Sequence, residues 1–442
     1  MITVDKKRKV DMWLILAVTV LVSIGTVSIF SSIMMLDFKE RIIRTHILAV
    51  AIGVAAMIFM WILDYQVLEE YSEKIYVFSL FLLLLVLFIG VVDKGSRSWF
   101  RLPFFSVQPS EIARISLIIF LASYFSKNKN VLKDFYGIIK VFLMILPFFI
   151  LMMKQPDFSG ILITFFPLAV MFIVAGVNMS YLYMFLFYIF VVLIIPMVGV
   201  VVNLYPSYLN NPVIEFLYEI SYFNINMLLF GVGLGVFLFL LWKIIHKLNP
   251  VVEYSYFILI YAIIVSGYFS GVFVKNQIKD YQYKRIESFI NPGSDPKGAG
   301  YNIIQARVAL GSGGVKGKGL FSGTQSRLGF VPERHTDFIF SVVGEEMGIF
   351  GVFLLFWAYA VIINRIKKIA ILSRTSFGYF LSAGFAGLFM GYFFVNIGMI
   401  LGFFPVAGVP LAFVSYGGTN MVASFIIIGI LQSIYTRRLL IA

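Results

Sequence analysis

The chain is built from apolar runs of about the length that spans a bilayer as helix, roughly 20 residues each. They fall at 12–34, 42–63, 75–92, 110–126, 138–153, 159–177, 180–201, 226–246, 252–274, 338–363, 376–402 and 411–435. Inside hydrocarbon every backbone N–H and C=O must be satisfied within the protein, which leaves helices and closed barrels. Continuous runs of this length read as helices. The expected fold class is all-α, a polytopic membrane helix bundle of about 12 transmembrane helices. Composition supports this: 60% of the 442 residues are hydrophobic and 13% are charged.

Several function classes drop out at once. The absence of cysteine excludes disulfides, thiolate nucleophiles and cysteine metal sites. The three histidines, His46, His246 and His335, are far apart in sequence and do not make a histidine-rich metal site. A net charge of +13 raises nucleic acid as a partner. In a membrane protein such an excess more often marks cytoplasmic Lys and Arg and contact with anionic membrane lipids, so no nucleic acid is expected. The basic "KKRKV" is followed by an apolar run too long for a cleaved signal and without a small-residue cleavage site, so it reads as a retained first span.

Orientation follows from the basic ends. Lys6, Lys7, Arg8 and Lys9 precede the first run and place the N terminus in the cytoplasm. An even number of spans returns the chain to that side. "SKNKNVLK" (126–133), "KIIHK" (243–247), "NRIKKIAILSR" (364–374) and Arg437–Arg438 then all fall inside, the C terminus with them. The long hydrophilic segment 275–337 falls outside, rich in Lys and Arg, and loops of that length are largely exempt from the charge rule. Its "IIQARVAL" keeps apolar residues at helical spacing, which predicts an ordered helix at the interface.

Within that segment "NPGSDPKGAGYN" (291–302) holds one acid, Asp295. An Asp before Pro is commonly structural, because its carboxylate bonds nearby amides in a turn. The competing reading is a catalytic carboxylate. "GSGGVKGKG" (311–319) reads as a hinge or a phosphate cradle, without the pattern of a nucleotide loop. "GSRSWFRL" (95–102) sets Arg97 and Arg101 about an amphipathic Trp99, a belt residue with two arginines able to hold an anionic headgroup. "QPSEIAR" (108–114) starts a helix with Glu111 and Arg114 on one face, either a buried ion pair or a functional site. "KQPDFSG" places Asp157 at an outer helix end, and "ERHTDF" places Glu333, Arg334, His335 and Asp337 before another span. Acids and bases gathered on one membrane face make a stronger candidate than any one of them.

Taken in this order, the motifs resemble the RodA/FtsW family, also called SEDS. The segments that carry the resemblance are "GSRSWF", "QPSEIAR", "QPDFSG", "RIESFINPGSDPKGAGYNIIQ", "ALGSGGVKGKGLFSGTQSRLGFVPERHTDFIFSVVGEEMG" and "NIGMILGFFPVAGVPLAFVSYGG". They run from the first span nearly to the C terminus, and "GAGYNIIQ", "GSGG" and "GTQSRLGFVPE" look more like the elongation branch than the division branch. The resemblance implies a peptidoglycan glycosyltransferase of the bacterial cytoplasmic membrane, with an extracytoplasmic active site, that polymerises lipid II during cell elongation. It implies as partners a class B penicillin-binding protein, the transpeptidase, and other elongation-machinery proteins. The family's essential acid falls on Asp295, as general base or metal ligand, with a divalent cation (Mg²⁺ or Mn²⁺) as a possible cofactor. Its substrate-binding positions fall on Arg44, Arg97, Glu111, Arg114, Asp157 and Gln305, and Arg101 and Arg285 join them as basic groups of the same motifs.

Two departures stand out. The family has Lys where this chain has Arg114, and Arg keeps the charge without readily releasing a proton. The family has fewer spans, so within a single integral membrane domain, 1–442, the segment 203–274 reads as an insertion. It would add the helix pair 226–246 and 252–274, packed on the bundle through "GVGLG" (231–235). An even insertion leaves Asp295 outside, in a catalytic loop where Gly293, Gly298 and Gly300 permit movement. The alternative function is a flippase or transporter of lipid-linked saccharide precursors. That would need polar groups near the bilayer midplane and on both faces, whereas the charges here gather outside. A purely structural scaffold leaves the acids unexplained.

Overall fold

A computed structural model describes residues 10–93, 96–101, 106–222, 224–278, 280–295, 298–327 and 329–438. The basic residues 6–9 and Pro296 lie outside the described residues. In chain order the elements are α1 (Met12–Ile33), α2 (Lys39–Ile62), α3 (Tyr65–Glu70), α4 (Ser72–Ile89), β1 (Val91–Asp93), β2 (Ser96–Arg101), β3 (Ser106–Val107), α5 (Pro109–Lys127), α6 (Phe135–Lys154), α7 (Phe158–Val174), α8 (Met179–Leu204), α9 (Pro212–Ile220), α10 (Ile225–Leu248), α11 (Tyr254–Gln277), α12 (Asp280–Ile290), α13 (Ala299–Ser312), α14 (Thr324–Arg327), α15 (Ile339–Leu372), α16 (Ser376–Leu401) and α17 (Gly418–Arg437). Short 3-10 turns lie at Val131–Lys133, Pro206–Asn210 and Pro292–Ser294.

Each of the expected apolar runs holds a helix. Among the described residues, 10 helices are long and apolar enough to cross a membrane. The two remaining run helices are α5, whose face carries Glu111 and Arg114, and α7, which has 17 residues. The last run differs at its start. Residues 411–416 form a buried turn before α17, with Phe413 at φ 64°. Side chains satisfy that backbone: Ser415 Oγ accepts from Leu411 N at 2.7 Å, and Asn396 Nδ2 donates to Val409 O at 2.6 Å. Irregular backbone survives inside a bundle only with such partners.

The chain forms two compact units, residues 1–177 with 302–442, and residues 178–301. In the first, α17 packs along α2, α16 along α7 and α1 along α15, with α16 and α17 the most enclosed of the candidate spans. One end of this unit is tied by charge: Asp11 caps α1 and its buried carboxylate receives Arg365 Nε at 2.9 Å and Nη2 at 2.5 Å. Strands β1, β2 and β3 form a small antiparallel sheet. The two-residue period of β2 turns Ser98 inward, onto Gln155 O at 3.2 Å, and leaves Arg97 and Arg101 exposed on the other face.

In the second unit, α11 lies tightly on α8 and more loosely beside α10. The expected glycine seam of 231–235 is corrected here. A β-carbon on Gly231 or Gly233 would meet nothing within 4 Å, and only Gly235 faces α11, at Tyr261. The close approach is made instead by Gly271 of α11, over the Val192 carbonyl of α8. Lys275 Nζ closes this unit, donating to Ser221 Oγ at 2.7 Å and lying 3.6 Å from the Tyr222 ring centroid.

Candidate active site

The described residues of the segment 275–337 are ordered mostly as helices and turns: α12, a 3-10 turn, α13 and α14. Asp295 follows the 3-10 turn and is half-buried. Its carbonyl accepts from Tyr301 N at 3.1 Å, which folds the chain back toward the start of α13. Gly298 lies directly under the carboxylate. A β-carbon there would sit 2.8 Å from Asp295 Cγ and Oδ1 and collide with Oδ2. A β-carbon on Gly300 would sit 2.8 Å from Asp295 O and collide with Pro292 O. Neither glycine has a left-handed backbone. They make room for the acid and its turn. Asp295 and Arg285, half-buried on α12, both have interaction partners.

In the first unit Glu111 and Arg114, both nearly fully buried, pair at 2.8 Å across one turn of α5. The pair extends to a residue the motifs did not flag. Arg114 Nη1 donates to Tyr392 OH at 2.6 Å, and Tyr392 donates on to Glu111 Oε2 at 2.5 Å. Asn420 Nδ2 reaches the same carboxylate oxygen at 3.4 Å. Arg114 Nε is buried without a hydrogen-bond partner. The result is a closed triangle of charge-assisted bonds, which rigidifies a bundle only while every member is present. Tyr392 lies inside the apolar run "FMGYFFVNIG", and its signal was a polar aromatic one turn before Asn396.

Asp157 stands beside this group and caps α7, accepting from Gly160 N at 2.9 Å and Ser159 Oγ at 2.8 Å. Its other oxygen receives Gln108 Nε2 at 3.1 Å and Ser110 Oγ at 3.2 Å, so the start of α5 is fastened to the start of α7. The sequence-expected residues Glu111, Arg114 and Asp157 are thus brought together. Arg44 is not part of this group; it is 83% exposed and pairs loosely with Glu40 at 3.6 Å. Arg97 reaches Leu87 O at 3.2 Å from the exposed face of β2, where Arg101 also lies. Gln305 is half-buried on α13.

The glycine-rich 311–319 is a docked turn rather than a free hinge. Lys318 N and Gly319 N donate to the carbonyls of Glu345 and Glu346, at 2.9 and 3.1 Å. Gly348, at φ 61°, breaks the helical path of α15 where Gly317 packs against it. Further along, Arg334 is buried, with Nε on Ser32 O at 2.6 Å, and burial lowers its pKa from the usual guanidinium range.

The family model "Cell cycle protein", which joins FtsW, RodA and SpoVE, matches residues 9–222 and 227–439. The chain belongs to the FtsW/RodA/SpoVE family. Among curated members, the peptidoglycan glycosyltransferase MrdB of Escherichia coli K12 is 30% identical over 393 residues, 88% of this chain and 84% of that protein. Stage V sporulation protein E of Bacillus subtilis is 28% identical over 437 residues, 97% of this chain and 98% of that one. The fold is that of solved family members. A chain from a peptidoglycan synthase complex that coordinates polymerization and crosslinking gives a TM-score of 0.66 at 23% identity, covering 97% of this chain and 98% of that one. The rod shape determining protein RodA of Thermus thermophilus gives 0.59 at 21% identity, covering 98% of each chain. This FtsW/RodA/SpoVE member is a multi-pass membrane protein.

Proposed function

We propose that the chain is a peptidoglycan glycosyltransferase that polymerises lipid II outside the bacterial cytoplasmic membrane, working beside a class B penicillin-binding protein. The reading is carried by the 30% identity, over 88% of the chain, to a relative named for that activity. The close approach of Gly298 and Gly300 to the Asp295 carboxylate and its turn supports it.

Chain growth joins an acceptor sugar hydroxyl to the anomeric carbon of a lipid-linked donor. The new C–O bond forms as the bond to the pyrophosphate breaks, and the α-linked donor gives a β-linked product by a single inversion. Asp295 takes the hydroxyl proton. Arg97, Arg101 and Arg285 offer charge to the pyrophosphate, the role that fixed cations play at developing negative charge. Arg114 holds its charge in the buried triangle and does not shuttle protons. Among the described residues no group of three or more His, Asp or Glu side chains stands ready for a metal. The single carboxylate of Asp295 suits a Mg²⁺ or Mn²⁺ ion that arrives on substrate phosphates, since such ions are commonly held by one or two carboxylates plus phosphate oxygens. When bound, that ion neutralises leaving-group charge.

The flippase alternative calls for polar groups free to receive a substrate inside the bundle. Glu111 and Arg114 of α5 and Tyr392 of α16 instead bond one another. Purified protein supplied with labelled lipid II should yield glycan polymer in detergent, where translocation has no meaning. Polymer absent with and without a partner transpeptidase, together with transfer of lipid II across vesicle membranes, would select the transporter.

A further inference from the structure

Helices α10 and α11 leave a groove between them of about 450 Å³, the size of a small-molecule site. Gly235, Phe239 and Trp242 of α10 line one wall, and Tyr254, Ile258 and Tyr261 of α11 line the other. The groove is open because the helices meet loosely: of the 24 residues of α10, only Met227 and Leu238 are buried. Gly235 sets its inner end, where a β-carbon would lie 3.3 Å from the Tyr261 ring. The end near the hairpin turn is held more firmly. Val252 O accepts from Trp242 Nε1 at 3.3 Å and from His246 Nδ1 at 3.2 Å, and the two rings lie with centroids 5.3 Å apart.

Positive charge stands at the mouth of this groove. Lys243 follows the wall residue Phe239 by one helical turn, and Lys247 follows Lys243 by another. Lys243 bends back toward the groove, with Nζ 5.0 Å from the Phe239 ring centroid. A lysine at the end of a membrane helix commonly extends to water; this ammonium lies over the groove wall instead. Among the described residues neither lysine forms an ion pair. The only acid between residues 235 and 261 is Glu253, whose Oε2 accepts from Ser255 Oγ at 3.0 Å. An apolar groove that ends in two uncompensated positive charges complements an amphiphile with acyl chains and an anionic head.

We propose that the α10–α11 groove is a site for an anionic phospholipid. One acyl chain lies between the two helices, and Lys243 and Lys247 hold the phosphate at the mouth, beside the turn 249–253. Bulk lipid of any headgroup can cover an apolar groove; the lysines select the charge. The lipid fills the space that α10 and α11 leave open and ties the hairpin together. The turn is expected on the cytoplasmic side, which separates this lipid from an extracytoplasmic lipid II headgroup.

Trp242, one of 5 tryptophans, reports on the groove by fluorescence, read as the difference between the full chain and Trp242→Phe. The chain is placed in phosphatidylcholine nanodiscs that contain the same minor fraction of either phosphatidylglycerol or phosphatidylcholine with brominated acyl chains, which quench tryptophan on contact. Brominated phosphatidylglycerol should be enriched at Trp242 over brominated phosphatidylcholine by about fivefold for each lysine engaged. Lys243→Gln/Lys247→Gln should abolish this preference. Gly235→Leu fills the inner end of the groove. Ile258→Phe narrows its exposed wall and should fold if Gly235→Leu does not. Each should reduce quenching by brominated phosphatidylglycerol. Equal quenching by the two lipids overturns the proposal, as does a preference that survives Lys243→Gln/Lys247→Gln or that neither groove variant weakens. None of these readouts depends on polymerase activity.

Discussion

The Asp295 carboxylate occupies space that exists only because residue 298 lacks a side chain. A methyl group at Gly298 must push the acid aside, since a β-carbon would sit 2.8 Å from Asp295 Cγ. Gly298→Ala is therefore expected to lower polymerisation by about 10²-fold, the scale of effect of misplacing a reacting group by an ångström. Its thermal unfolding should stay close to wild type. Activity within twofold of wild type would show that the carboxylate position does not matter.

The Glu111–Arg114–Tyr392 triangle should register as stability. Arg114→Leu leaves Glu111 buried without its ion-pair partner, at an expected cost of about 3–5 kcal/mol. Tyr392→Phe removes one donor and one acceptor and should cost about 1–3 kcal/mol. Unfolding of the purified variants measures both. Additive effects in the double variant would show that the three groups are not coupled.

Much of this architecture was legible in the sequence, because hydrocarbon permits few backbone solutions and apolar run length marks them. Glu111 and Arg114 were legible as a pair for a local reason, their spacing of one helical turn. Their partner Tyr392 was not, since 278 residues separate it from Arg114 and only tertiary packing joins them. The glycines beside Asp295 were visible, but sequence shows a missing side chain without showing that the acid and its turn fill the space. Glu345 and Glu346 stood in plain view within "VVGEEMG". Their hydrogen-bond partners lie on α1 and the turn 318–326, and no spacing rule reaches that far.

Arg97 and Arg101 project from the exposed face of β2 and are free of the buried triangle. Arg97→Ala should weaken lipid II binding by about tenfold, the worth of one charge-assisted contact of about 1.5 kcal/mol, and slow turnover at saturation less. Unchanged affinity for lipid II in nanodiscs would remove Arg97 from the headgroup site.

The α10–α11 pair tests the topology. A reporter in the turn 246–250 should read cytoplasmic, since His246 and Lys247 close α10 and basic turns stay inside. One at 205–215 should read external. If both report the same side, the pair does not span.

The most direct measurement is polymerisation of labelled lipid II by purified Asp295→Asn protein beside wild type, at matched folded concentration. The substitution keeps the shape and removes the proton acceptor. Wild type should build glycan strands, and Asp295→Asn should build none above background while still binding lipid II. Strand synthesis by Asp295→Asn near the wild-type rate would contradict the assignment of this carboxylate to the transfer step.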